Sequence, residues 1–435
     1  MRYNYSRQKS REPVPMLMRA PLDIRSLVEA RRPGYTLEAP FYTSREVFDL
    51  DLDAIFGRHW IFAGLEAEAP TPGDYRKIDI GAQSVILVRG DDGDIRAFHN
   101  ICRHRGAQLV TAERGRVIRF VCPYHQWTYK RDGELINARQ MGADFDKSCH
   151  GLKPVHLRSI GGLLFICLAE KAPGDIDEMA AAIEVRLAPH DLRNAKVAAQ
   201  MDLVEHGNWK LTMENNRECY HCGASHPELL NSFSEYSVGF DPGAVSGRQQ
   251  AEANAYAEFA TKTVADWEAC GIPSQPVEHL KGRASAFRTE RLVLAGENES
   301  QTMDSKIACN KLMGTITQKK LGGLHIHTQP NSWHHAMSDH AISFCVFPLS
   351  PDETLVRTTW LVHKDAVEGT DYDLDNLTKV WKATNSQDAA LVERTHAGVK
   401  SSAYEPGPYS PFTEYQVDDF VTWYVERLGA YLAEG

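Results

Sequence analysis

Two short stretches of the chain each hold a thiol and an imidazole. They are Cys102 and His104 in "ICRHRGA" and Cys122 and His125 in "VCPYHQW", with 17 residues between His104 and Cys122. Two thiolates and two imidazoles make a metal set. A structural zinc site accepts such ligands. So does a [2Fe–2S] cluster in which two histidines hold one iron and two cysteines the other. The order favours the cluster, because each loop supplies one ligand of each type. The loops also fall between β-hairpin patterns rather than ahead of a finger helix. Arg105-Gly106 follows the first pair, and Pro123-Tyr124 lies inside the second.

A second set lies in "NWKLTMENNRECYHCGASHPELL". Four residues separate His221 from His226, and Glu218 lies three before His221. Positions three apart share a helix face. Five residues advance about 500°, so a regular helix would point His226 roughly 140° away from His221. Both reach one metal only if the helix is distorted, and Gly223 and Pro227 are residue types that allow it. Two histidines and a distant carboxylate form the facial triad of non-haem Fe(II) oxygenases. The bland alternative is a helix with two solvated histidines. The carboxylate must come from the C-terminal third, where Asp388 and Glu393 stand in "SQDAALVERTHAG". Cys219 and Cys222 flank His221 as a Cys-x-x-Cys; without a Gly-Pro centre or βαβ context, packing thiols are expected.

These residues need elements to hold them. Ser44 is a plausible N-cap for an amphipathic helix from about Phe41 to Trp60. Asp92-Gly93 and Asp132-Gly133 each divide two strand-like runs, a hairpin signal. Residues 60–170 therefore read as a small antiparallel β domain. Beyond it come a helix in "DIDEMAAAIEVRL", a strand in "KVAAQMDLVE", and helix through 209–235. Several strands follow from "LHIHT" to "TTWLVH", then two closing helices.

The chain has 435 residues, 43% hydrophobic and 24% charged, which is a globular composition calling for two or more domains. A formal charge of −10 argues against a nucleic-acid partner. No apolar run reaches the roughly 18 residues of a membrane span. The N-terminus lacks a secretory apolar core and reads as a mobile arm. Nine cysteines in so long a chain suit a reducing, cytoplasmic compartment.

"CRHRG…CPYHQWTY" resembles the Rieske motif of ring-hydroxylating-type non-haem iron oxygenases, in their alpha (oxygenase) subunits. Ala107 and Gln126 stand where high-potential respiratory Rieske proteins carry an extra disulfide, so the oxygenase type is implied. The resemblance runs from about Phe41 to the C-terminus. It implies an α+β protein: an N-terminal arm (1–40), a Rieske β-sandwich domain (41–170), and a catalytic domain of helix-covered antiparallel sheet (171–435). It makes Cys102, His104, Cys122 and His125 the [2Fe–2S] ligands, and His221, His226 and Asp388 the ligands of a mononuclear Fe(II). Glu218 takes the place of the acid that bridges a neighbouring subunit's Rieske histidine to the iron, which implies a homotrimer. That acid is usually Asp.

Glu218 with "NNRECYHC", "NSWHH" and "ATNSQD" is similar to the branch acting on quaternary ammonium compounds. The implied reaction uses O2 and hydroxylates an N-methyl carbon, which leaves as formaldehyde. Glycine betaine comes first, with proline betaine (stachydrine), carnitine and choline as alternatives and ring dihydroxylation further off. Electrons from NAD(P)H arrive through a separate flavin/iron–sulfur reductase, since the chain carries no Gly-rich dinucleotide fingerprint. A permanent cation is best held by aromatic faces. Trp333 is the first candidate, with Trp381 and Tyr404 behind it, and Asn215 is a candidate for positioning O2 or substrate.

Overall fold

The structure, a computed structural model, describes residues 22–434; of the arm expected over residues 1–40, the part up to residue 21 lies outside the described residues. Ten strands build the first domain: β1 (Ile61–Leu65), β2 (Asp74–Ile80), β3 (Gln83–Arg89), β4 (Ile95–His99), β5 (Arg114–Arg116), β6 (Phe120–Val121), β7 (Thr128–Tyr129), β8 (Leu135–Asn137), β9 (His156–Ile160) and β10 (Leu163–Cys167). They form three antiparallel sheets, ordered β1-β10-β9, β4-β3-β2-β5 and β6-β7-β8. Asp92-Gly93 turns β3 into β4, with Gly93 at φ 89°, a conformation that side chains rarely adopt. Strand alternation then divides the labour of β3. Val85 and Leu87 enter the main core. Ile86 and Val88 face the other way, into a smaller core with Cys102, Cys122, Trp127 and Tyr129.

The second domain is one seven-stranded antiparallel sheet, ordered β11-β17-β16-β15-β14-β13-β12. Its strands are β11 (Lys196–Glu205), β12 (Val277–His279), β13 (Phe287–Leu292), β14 (Gly323–Thr328), β15 (Ser332–Ala336), β16 (His340–Ser350) and β17 (Glu353–Val362). The α-helices of the described residues are α1 (Ile24–Glu29), α2 (Ala39–Thr43), α3 (Arg45–Asp51), α4 (Ile176–Leu187), α5 (Trp209–Asn216), α6 (Cys222–Ser225), α7 (Arg248–Ala269), α8 (Leu374–Val399) and α9 (Tyr415–Glu434). All five residues of β15 are buried, so both of its faces are covered. Among the described residues, no helix is long and apolar enough to cross a membrane.

Ser44 does cap a helix: its hydroxyl accepts from the amides of Glu46 and Val47. The continuous helix expected from Phe41 is instead two short ones followed by a π-turn over Leu52–Phe56. Residues 22–56 attach to the second domain. Arg31 pairs with Asp418 at 2.5 Å, and the Tyr42 hydroxyl donates to Glu214 at 2.8 Å. Asp51 is wholly buried. It pairs with the equally buried Lys210 and accepts from Trp209 Nε1 at 2.9 Å and the Tyr424 hydroxyl at 2.6 Å. One carboxylate thus docks α3, α5 and α9. Removing it strands a buried ammonium, which costs about 3–5 kcal/mol. Asp51→Ala is expected to lower the unfolding temperature sharply, and adding Lys210→Met to recover most of the loss; thermal denaturation followed by circular dichroism checks both.

Candidate active site

The two Cys/His loops are twins. In each, the cysteine amide donates forward at 2.8 Å, Cys102 to the Ala107 carbonyl and Cys122 to the Trp127 carbonyl. In each, the amide four residues on donates back to the cysteine carbonyl at 3.0 Å. That return requires a left-handed residue, Gly106 (φ 78°) in one loop and Gln126 (φ 62°) in the other. The loops bring His104 Nδ1 and His125 Nδ1 to 3.2 Å. Both cysteines are buried while both imidazoles are half-exposed, so a cluster here has a sulfur side inside and a histidine side at the surface. His104 stacks on Trp127 at 4.8 Å and 8°, and Tyr124 covers His125 at 3.8 Å. Burial, reinforced by Cys102, pushes the Cys122 thiol up; two thiols this close want a metal. The donor set fits the cluster.

Tyr129 OH lies 3.3 Å from Cys102 Sγ. A hydrogen bond to a ligating sulfur favours the reduced, more negative cluster. Its loss in Tyr129→Phe, at about 1.5 kcal/mol for a bond to a charged group, corresponds to a midpoint lowered by about 60 mV. Redox titration followed by the cluster's electron paramagnetic resonance signal checks it.

The second set converges further along the chain. His221 Nε2 and His226 Nε2 are 3.0 Å apart, and Asp388 Oδ1 lies 3.2 Å from the first and 3.0 Å from the second. The helix breaks earlier than the sequence suggested. The α5 helix stops at Asn216, and the two histidines bracket the four-residue α6, His221 before it and His226 after it. Asp388 arrives from α8, whose N-terminus Asp373 caps. The outer nitrogens are held as metal-binding histidines require. His221 Nδ1 faces Glu218 Oε1, and His226 Nδ1–H donates to Gln387 Oε1 at 2.9 Å. Gln387 Nε2 in turn donates to Glu228 Oε2 at 2.7 Å. Glu228 and Gln387 were missed by sequence reasoning, although Gln387 adjoins Asp388. Burial opposes charge on His221, but the Asp388 and Glu218 carboxylates prevail and raise it to about 9.

Cys222 also lies beside the two histidines, but its sulfur is bonded to Cys219. The expectation of two packing thiols is therefore corrected. The three-residue separation folds the pair to a Cα distance of 5.0 Å, within disulfide reach. The other seven cysteines are free.

The triad opens into a cavity of about 520 Å³ including its mouth. Asn215, Glu218 and Trp381 line it, as do Leu229 and Phe233. Trp333 does not. It is 5% exposed and stacked on Phe344 at 4.9 Å and 12°, so its face is already taken. Tyr404 is likewise off the wall; its hydroxyl donates to the Leu37 carbonyl at 2.9 Å and meets Thr36 Oγ1 at 3.0 Å, pinning the N-terminal segment. Glu393 is exposed on α8.

Residues 59–156 match the Rieske [2Fe-2S] domain, and residues 192–430 match the ring hydroxylating alpha subunit (catalytic domain). The chain belongs to the ring-hydroxylating alpha subunits, the Rieske-type oxygenases. Within that family it is similar to the glycine betaine monooxygenase oxygenase subunit of Chromohalobacter salexigens, 46% identical over 92% of this chain and 88% of the relative. The subunit of the same name from Pseudomonas aeruginosa is 44% identical over 92% of this chain and 91% of its own. The fold matches a solved quaternary ammonium Rieske monooxygenase, with TM-score 0.68 and 22% identity, covering 93% of this chain and 98% of the other.

Proposed function

We propose that the chain is the terminal oxygenase component that removes an N-methyl group from glycine betaine. The observation that carries this is the convergence of His221, His226 and Asp388 within 3.2 Å at the base of a cavity walled by Trp381. The relatives' names support the substrate. A mononuclear Fe(II) held by the triad supplies O2 activation; Cys102, His104, Cys122 and His125 hold the [2Fe–2S] cluster that feeds it. One O2, two electrons and two protons convert one N-methyl group to an N-hydroxymethyl group, with release of one water. The carbinol then loses formaldehyde and a proton to leave dimethylglycine. The electrons come from NAD(P)H through a separate flavin/iron–sulfur reductase.

The residues divide the work. The Glu218 carboxylate beside the triad suits the trimethylammonium end, which has no N–H to donate, and Trp381 walls the far end of the cavity. Asn215 stands on the wall beside Glu218, placed to orient a bound group. Glu218, Asn215 and His221 also line an outer cleft with Tyr409 and Glu414, so the triad is one side chain from the surface. In the homotrimer proposed here, this cleft is the place for a neighbouring subunit's His104–His125 edge to approach, passing electrons between chains. The test is a single turnover: the chemically reduced, iron-loaded protein meets O2 with glycine betaine, proline betaine, carnitine or choline. Formaldehyde is expected with glycine betaine at more than tenfold the yield of the others. None from any substrate, with cluster and iron shown present, overturns the reading.

A further inference from the structure

Strand alternation puts His325 and His327 of β14 on one face, and register places His335 of β15 directly opposite His325. The His325 and His335 rings stack at 3.9 Å, and all three histidines line the cavity. They stand at its Trp381 end, for His335 touches Trp381 at 4.8 Å between ring centroids. Trp381 and Asp388 are seven residues apart on α8, about 10 Å along the axis.

The hydrogen bonding leaves one group short. Trp381 Nε1–H donates to Gln301 Oε1 at 2.9 Å, and an indole can only donate, which fixes that amide. His335 Nδ1–H therefore donates to the same oxygen at 3.2 Å. His327 Nδ1–H donates to Gln416 Oε1 at 3.3 Å. His325 is 8% exposed and its Nε2 has no partner. Two of the three rings have spent their N–H, and the third lacks an acceptor.

The surrounding charge decides what kind of acceptor. Arg217 and Arg291 are each 2% exposed, and among the described residues neither has a carboxylate at ion-pair distance. Arg217 donates to the carbonyls of Thr328 and Ser332 and to Gln329 Oε1; Arg291 donates to the Leu321 carbonyl. Burial first, then Arg291, drive His325 down to about 3, and no acid offsets them. Two uncompensated buried guanidiniums repel a divalent cation from three neutral imidazoles and attract an anion.

We propose that the His325–His327–His335 cluster is the subsite for the carboxylate of the betaine, holding that end against β14 and β15 while the methylated nitrogen faces Asp388. This rests on the demethylase reading and adds how the substrate is oriented and why a carboxylate is selected.

The test uses the iron-loaded protein without O2 and calorimetric titration with two ligands, glycine betaine and its carboxamide, a cation in which a neutral amide replaces the carboxylate. The His325 imidazole makes no hydrogen bond, so His325→Leu is expected to fold with an unchanged unfolding temperature. It should weaken glycine betaine at least 30-fold and the carboxamide by less than threefold. His325→Gln, which keeps a donor, should recover glycine betaine binding to within about fivefold of the original protein. Equal weakening of both ligands, or of neither, overturns the subsite. So does a second equivalent of Co2+ that binds the original protein and is lost in His325→Leu. If the original protein neither binds nor demethylates glycine betaine, the functional reading fails first and independently.

Discussion

Asp388→Ala is expected to cut formaldehyde formation by at least about 10³-fold, beyond the 10- to 100-fold typical when only a partner of a metal ligand is lost. Mononuclear iron should fall below a tenth of its normal content while the [2Fe–2S] absorbance stays unchanged. The reason is local. Asp388 Oδ1 is buried, lies within 3.2 Å of both histidine nitrogens, and has no other partner. It is also the only negative charge at the convergence point itself, Glu218 standing behind His221. Two neutral imidazoles alone hold Fe(II) weakly. Glu393→Ala is the matched control. It is the other acid that sequence offered from the same helix, it is exposed, and its loss should change turnover by less than twofold. Metal analysis beside a formaldehyde assay settles both. Full activity in Asp388→Ala would remove the site from α8 altogether.

What could be read from the chain depended on how local each feature is. The cluster ligands and His221–His226 are short motifs whose residue types are rare together, so a few residues sufficed to find them. Asp388 lies 162 positions after His226 and was chosen over Glu393 only through resemblance; the structure brings the two to 3.0 Å. The strands announced themselves by alternation and by Asp-Gly turns. Helix breaks did not, because the end of α5 follows from Arg217 turning inward to the carbonyls of Thr328 and Ser332, the first of them 111 residues away. Trp333 misled for a related reason. Its position on β15 faces the interior as expected, but Phe344 of the next strand occupies its face. Trp381, two turns before Asp388, has the open wall instead. The "HIH" of β14 was read only as strand, and nothing local shows that His335 completes the set or that two arginines behind it lack partners.

Glu218→Gln is expected to lower steady-state turnover about 100-fold while iron content stays above half and the unfolding temperature is unchanged. Glutamine keeps the length and can still accept from His221 Nδ1, so the triad's geometry survives. What it removes is the negative charge between His221 and the outer cleft, the group placed to meet an imidazole from outside. A role confined to steadying His221 would predict a small effect from Gln and a large one from Ala; an electrostatic link to a neighbour's cluster predicts that both are slow. Mixed assemblies separate the two further. Chains carrying Cys122→Ser lack the cluster and chains carrying Asp388→Ala lack the iron, so each is inactive alone. Co-expressed, they should regain formaldehyde formation if electrons cross between chains. Glu218→Gln should then silence the mixture only when placed on the Cys122→Ser chain, which supplies the working iron site. No recovery on mixing would confine electron transfer to a single chain; recovery with equal loss from either chain would leave Glu218 as a support and not the link between chains.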